Sequence, residues 1–288
     1  MSTATGYENS TWQGAPPDRP LGEYSLYQHY LERNRCSFRD YQNICVNGAR
    51  VESIATNIIP SFRRNQTSDL PMIVGFALIG NDVCSGHHTF DTFTTPAEFK
   101  KWVLVSLDYL NTVLPKGSHV STYGLATGSL LYEIMHARRH PLGNNFPEID
   151  YARVYDYLNC LEVSPCWGWL NTNATVRNYT DAWAAKLSAV YQDIVDEYGS
   201  SGRWPNFDLH FWQLDFQDIL AIWTARGGQP HELIEPIDGF HPAQIGMTLL
   251  AEFHIEQVKK FAPNLLPPIN PNNARIQQLF GNQGGYGN

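Results

Sequence analysis

Met72-Ile73-Val74-Gly75-Phe76-Ala77-Leu78-Ile79, followed at once by Gly80-Asn81-Asp82, is the stretch that decides the fold. A continuous apolar run ended by a polar turn is the pattern of a strand buried on both faces, since one wet face would show alternation. His119–Leu125 and Phe207–Asp215 read as further strands, and Tyr41–Val46 as a short one ending at Asn47-Gly48. Helical spacing falls between them, over Tyr24–Arg33, Arg50–Arg64, Pro96–Thr112, Ser129–Arg139, residues 150–161, residues 180–198, Phe216–Arg226 and Pro242–Phe261. Pro96 and Pro242 suit a first helical turn, where the missing N–H costs little. Gly227-Gly228 suits a helix end. Apolar strands alternating with helices predict an α/β fold of three layers, α/β/α, around a parallel sheet. Residues 1–22 read as a polar loop, and the chain from about Pro263 as a tail rich first in proline, then in glycine.

Composition narrows the function. Apolar residues make up 43% and charged residues 17% of the 288, enough apolar material for a large core. The net charge of −8, without a long basic run, argues against nucleic acid or an anionic membrane as partner. No apolar run reaches the ~18 residues of a membrane span. Met1–Gly6 has neither the basic nor the apolar region of a secretory signal. Four Asn-x-Ser/Thr sequons (Asn9, Asn65, Asn173, Asn178) and five cysteines point instead to an exported protein. Cys160 and Cys166 lie close enough for a small disulfide loop, and the odd count leaves at least one thiol over.

Two strings carry chemistry. In Asp238-Gly239-Phe240-His241-Pro242, an Asp three residues before a His can fold back onto Nδ1, leaving Nε2 to move protons. Its plain alternative is an Asp-Gly turn capping the next helix. In Gly80-Asn81-Asp82, an Asn amide at a strand end can donate to a developing oxyanion, or simply close a polar turn. Gly48, in Asn47-Gly48-Ala49, offers a backbone N–H for the same purpose. Each signal alone favours the plain reading. Their order does not: Gly, then Asn, then Asp-x-x-His before the last helix resembles the GDSL/SGNH esterase superfamily, whose sheet is flavodoxin-like.

Longer strings narrow the resemblance. Arg39-Asp40-Tyr41-Gln42-Asn43, Ile79 through Gly86, Arg139-His140-Pro141-Leu142-Gly143, Val163-Ser164-Pro165-Cys166 and Gly227 through Pro242 look like the acyloxyacyl hydrolase family, from about Ala4 to Gly285. The resemblance implies an esterase that removes secondary fatty acyl chains from lipid A of lipopolysaccharide through an acyl-enzyme. It implies His241 as base, Asp238 as its orienting partner, and Asn81 and Gly48 as oxyanion donors, in a secreted or endolysosomal protein. It also implies a Gly-Asp-Ser block and a saposin-like part upstream, neither of which has a counterpart here. The nucleophile is therefore expected to be absent from these residues. Cys36 or Cys160 would pair with the saposin-like part, and Cys45 has no assignment. The 288 residues are then one partial hydrolase domain, lacking the strand that leads to the nucleophile. The family places that strand between the Gly-block and Asn-block strands, so Met72–Ile79 would keep an open edge. Unpaired buried backbone groups cost about 1–3 kcal/mol each, and the chain is expected to fold poorly alone, as an incomplete sequence would.

Other candidates are weaker. Ser129, in Gly128-Ser129-Leu130, follows the Asn block and lacks the preceding Asp, so a helix N-terminus is its plain reading. Ser85 belongs to the Asn-block string, and Cys84 reads as buried or disulfide-bonded. His87, His88 and Asp91 have no spaced ligand partners. No calcium loop, phosphate loop or dinucleotide fingerprint occurs, so no metal or cofactor is expected. Trp167 and Trp169 read as core, with acyl-chain contact as the alternative. A non-catalytic remnant that binds lipopolysaccharide or lipid is the second functional reading, and a flavodoxin-like binding module the third.

Overall fold

The computed structural model describes residues 24–125 and 127–281. The Asn9 sequon, the loop expected over residues 1–22 and the Gly-rich end beyond Gly281 lie outside them. In chain order the helices are α1 (Leu26–Arg33), α2 (Val51–Ser53, continued by a π turn over Ile54–Ile58), α3 (Gly80–Val83), α4 (Pro96–Val113), α5 (Ser129–Met135), α6 (Tyr151–Cys160), α7 (Ala174–Tyr198), α8 (Phe216–Ala225), α9 (Gln244–Phe261) and α10 (Asn273–Phe280). The strands are β1 (Ile73–Ala77), β2 (Ser118–Gly124) and β3 (Phe207–Gln213). They form a parallel sheet in the order β1-β2-β3. The α/β class and the parallel sheet expected from the sequence are both present. Two compact units divide the described residues: Ile44–Phe216, and the segments up to Asn43 and from Gln217.

In the Ile44–Phe216 unit the sheet carries α7 on one face. Phe76, Thr122 and Phe211 lie in register across the three strands. Phe76 and Phe211 meet the Tyr191 ring, and Phe99 of α4 packs against the same ring at 5.1 Å. Helical spacing explains the layer: Phe99, Val103, Leu107 and Leu110 of α4, and Ala184, Leu187, Tyr191 and Ile194 of α7, each form one buried stripe. Burying each large member stabilises the fold by about 1.5–3 kcal/mol. Thr95 and Glu98 form a capping box around Pro96, which fixes where α4 begins.

The strand that decided the fold is not buried on both faces. Ile73, Gly75 and Ala77 are exposed, and only Phe76 within β1 is buried. The reason is its place in the sheet: among the described residues, β1 pairs with β2 alone. Tyr41–Val46, expected as a strand, has no ladder and is mostly exposed. A short strand holds only in a ladder, and among the described residues this segment joins none.

Cysteine pairing also departs from expectation. Cys166 bonds to Cys84, not to Cys160. Cys160 is an exposed free thiol at the end of α6, and Cys36 is likewise exposed. The bridge joins the segment after α3 to a residue 82 positions on, a loop whose closure restricts the unfolded chain by about 4.5 kcal/mol in the chain-entropy treatment. The described sequon asparagines, Asn65, Asn173 and Asn178, are all exposed, and Asn173 caps α7 through Thr175 N–H.

In the other unit, the Pro-rich tail is anchored rather than loose. Asn270 N–H donates to Arg33 O, Asn273 Nδ2 to Glu32 O, and Arg35 N–H to Asn273 Oδ1, tying α10 to the end of α1. On α9, His254 is 3% exposed, and burial holds its imidazole down to about 4. The unfolded chain takes up that proton near 6.5, so stability is complete above about pH 6.5 and is lost as pH falls from there through 4. The loss expected from this one group is about 3 kcal/mol. Urea midpoints measured from pH 7 to pH 4 should fall steeply for the native protein and more gently for His254→Gln. Equal slopes would remove His254 as the acid-sensitive group.

Candidate active site

Glu235–Pro242 is a closed loop. An antiparallel bridge joins Ile234 to Pro242, Glu235 N–H donates to His241 O, and Gly239 N–H donates to Glu235 O. Gly239 takes φ +62°, a turn that glycine adopts without steric cost. Within it, Asp238 Oδ1 accepts from the N–H groups of Phe240 (2.8 Å) and His241 (3.0 Å), while Oδ2 lies 2.7 Å from His241 Nδ1. Asp238 closes its own turn and also meets the imidazole. It does not cap α9, whose N-cap is Ala243. Burial would raise the Asp238 carboxyl, but the bond from His241 and the two backbone donors outweigh it and hold Asp238 below the usual carboxylate range. An ionised carboxylate only accepts, so Nδ1 carries the hydrogen and Nε2 is left as the basic nitrogen. The His241 side chain is 57% exposed.

Asn81 and Gly48 belong to the other unit, where the structure brings their two segments together. β1 runs into Ile79, a fully buried β-branched residue at φ +86°, and α3 starts at the next residue. That conformation is strained for isoleucine, and it marks a sharp turn at which the chain leaves the sheet. Asn81 Nδ2 donates to Ala49 O at 2.9 Å. The amide has a second hydrogen, and Asn81 is exposed. Gly48, one residue before that carbonyl, has φ +76°, and a Cβ there would meet nothing within 4 Å.

Residues that sequence reasoning gave no role, Arg50 first among them, make this junction. Arg50 donates from Nε to Asn81 O (2.8 Å) and from its terminal nitrogen to Asp82 O (3.0 Å) and Thr92 O. Asp82, fully buried, accepts from Val51 N–H at 3.2 Å and Thr94 Oγ1 at 2.7 Å. Burial raises the Asp82 carboxyl above its ordinary value, partly offset by Thr94, Val51 and the Arg50 guanidinium. The string Gly80-Asn81-Asp82 was visible in the sequence. That Asp82 faces inward while Asn81 faces out depends on the Ile79 turn, which no local pattern announces.

The other sequence candidates fall away from this chemistry. Cys84 is half of a disulfide and has no thiol. Ser129 is the first residue of α5, and its N–H donates to Asp181. Ser85 Oγ accepts from His87 N–H. His87 pairs with Glu162 and His88 with Asn159 O, so the two imidazoles serve different partners. Trp169 is buried with Nε1 on Asp181, and Trp167 stacks on His88. At the carboxyl ends of β2 and β3, a cavity of about 340 Å³ is lined by Leu125, Ala185, Phe211, Gln213, Asp181 and Asp215, among others.

The chain belongs to the GDSL-like lipase/acylhydrolase family, whose sequence pattern matches residues 2–253. Among curated proteins it is similar to the acyloxyacyl hydrolases. It is 42% identical to that of Homo sapiens over 287 residues, 43% to that of Oryctolagus cuniculus over 288, and 40% to that of Mus musculus over 287. Each alignment covers 99% of this chain and 48% of the relative, so the chain spans about half the length of the curated relatives it matches. Among the described residues no helix is long and apolar enough to cross a membrane.

Proposed function

We propose that this chain supplies the base and the oxyanion donors of an acyloxyacyl ester hydrolase acting on the secondary fatty acyl chains of lipid A. The observation that carries the reading is the Asp238–His241 pair, closed at 2.7 Å inside a bridged loop. His241 Nε2 takes the proton of a serine hydroxyl as its oxygen attacks the ester carbonyl. The second hydrogen of Asn81 Nδ2 and the N–H of Gly48 receive the negative charge that forms on the carbonyl oxygen. His241 returns the proton to the departing hydroxyacyl oxygen, leaving an acyl-serine that water then hydrolyses to free fatty acid. The serine comes from outside residues 1–288: no Gly-Asp-Ser occurs in them, Ser129 opens α5 with no Asp before it, and Ser85 Oγ accepts from His87 N–H. The edge of β1 away from β2, unpaired among the described residues, is open to a further strand. The Cys84–Cys166 bridge supports an oxidising compartment, secreted or endolysosomal.

A fluorophosphonate that labels activated serines tests the reading on the complete gene product. Peptide mass spectrometry should find the label on one serine outside residues 1–288. Labelling at Ser129, or at any serine within the 288, overturns the external nucleophile. A labelled enzyme that frees no secondary acyl chain from lipid A keeps the hydrolase and removes the substrate.

A further inference from the structure

The face of the sheet turned away from α7 carries a cluster that the ester chemistry does not use. β2 and β3 pair His119 with Asp208 and Ser121 with His210. Residues two apart on a strand share a face, so His119, Asp208 and His210 lie side by side on it. His119 Nδ1 is 3.5 Å from Asp208 Oδ2, and the two imidazole rings are 5.7 Å apart. One ligand atom from each of the three residues lies within 4.8 Å of the others. His119 Nδ1 and His210 Nε2 are both buried without a hydrogen-bond partner. Two orphaned ring nitrogens beside one carboxylate need an explanation, because buried polar atoms almost always have partners.

We propose that His119, Asp208 and His210 form a binding site for a divalent transition metal of the zinc type. Two imidazoles and a carboxylate are a borderline-soft N2O set. Calcium and magnesium call for oxygen ligands in larger number. At zinc bond lengths of about 2.0–2.1 Å, neighbouring tetrahedral donors stand roughly 3.3 Å apart. The widest spacing allowed by the 4.8 Å limit therefore has to close by about 1.5 Å. Asp208, whose side chain is 70% exposed, is free to rotate towards the two rings, and the imidazoles turn about their own side-chain bonds. Three protein ligands leave a fourth position for water. The cluster runs from the amino ends of β2 and β3 to the middle of β3, whereas Asn81 follows the carboxyl end of β1, so metal loading and ester hydrolysis are separable measurements.

The test is zinc titration of the chelator-stripped protein by calorimetry, with cobalt(II) absorbance as a second readout. The native protein should take up zinc at micromolar concentration and show the intense visible bands of four-coordinate cobalt. His210→Ala should lose one equivalent, or weaken binding at least about tenfold, the least that changing even a supporting residue costs. Asp208→Ala, at an exposed position, makes the same comparison should His210→Ala fail to fold. No zinc uptake by the native protein, or equal uptake by native and Asp208→Ala, overturns the site and leaves His119–Asp208 as a plain ion pair.

Discussion

His241→Ala in the complete gene product should lower release of secondary acyl chains by about four to six orders of magnitude, the range for removing a triad base. The size follows from what the imidazole is asked to do. Without it, the attacking hydroxyl has no group to take its proton and the leaving oxygen has none to receive it. The serine then reacts from a form that is scarce at neutral pH. KM should change little, since the loss falls on the chemical step. Residual turnover should come from the oxyanion donors and from binding alone.

Asp238→Asn gives the companion result. The Asp238 carboxylate sets the tautomer of His241 by accepting from Nδ1. An amide can turn its NH2 towards Nδ1, which moves the ring hydrogen to Nε2 and makes that nitrogen a donor. The expected loss is about 10⁴. Because Oδ1 still accepts from Phe240 and His241 N–H groups, the loop should keep its shape, and circular dichroism should show no change. Native-like turnover in both variants would end the assignment of this pair as base and orienter.

How much of this was legible in the sequence depends on how local each feature is. The Asp238–His241 pair was readable because its residues sit three apart through a glycine, and the geometry closes within one turn. Helices α4 and α9 were readable from proline and apolar spacing, with α9 starting at Gln244 because Pro242 is used in the bridge to Ile234. Strands β2 and β3 were read to within a residue or two of their ends. What escaped depended on neighbours. An apolar run says that a segment prefers burial, not that a partner is there to provide it, and β1 remains half exposed for that reason. Tyr41–Val46 has β-forming residues without a ladder. Cys166 pairs across 82 positions rather than six, since the α3 junction delivers Cys84 to it. The zinc-type cluster was missed because its histidines come from different strands, and only the register of β2 with β3 makes them adjacent.

Asn81→Ala should lower kcat by about 10²–10³, the cost of removing one oxyanion donor. Two effects have to be separated here, because Asn81 Nδ2 also ties its segment to Ala49 O. Losing that bond alone should cost about 1 kcal/mol of stability, far less than the roughly 3–4 kcal/mol of transition-state energy that the rate loss represents. Arg50→Gln provides the comparison. It removes donors that hold the backbone of Asn81, Asp82 and Thr92 but leaves the Asn81 amide in the chain. If Asn81 acts only as a structural tie, Arg50→Gln, which breaks more of the junction, should hurt kcat more than Asn81→Ala does. If Asn81 donates to the oxyanion, the order reverses: Asn81→Ala is the slower enzyme and Arg50→Gln the less stable protein. Measuring kcat and urea midpoints on the two variants together decides between them, and an Asn81→Ala enzyme within threefold of native kcat would remove Asn81 from the chemistry.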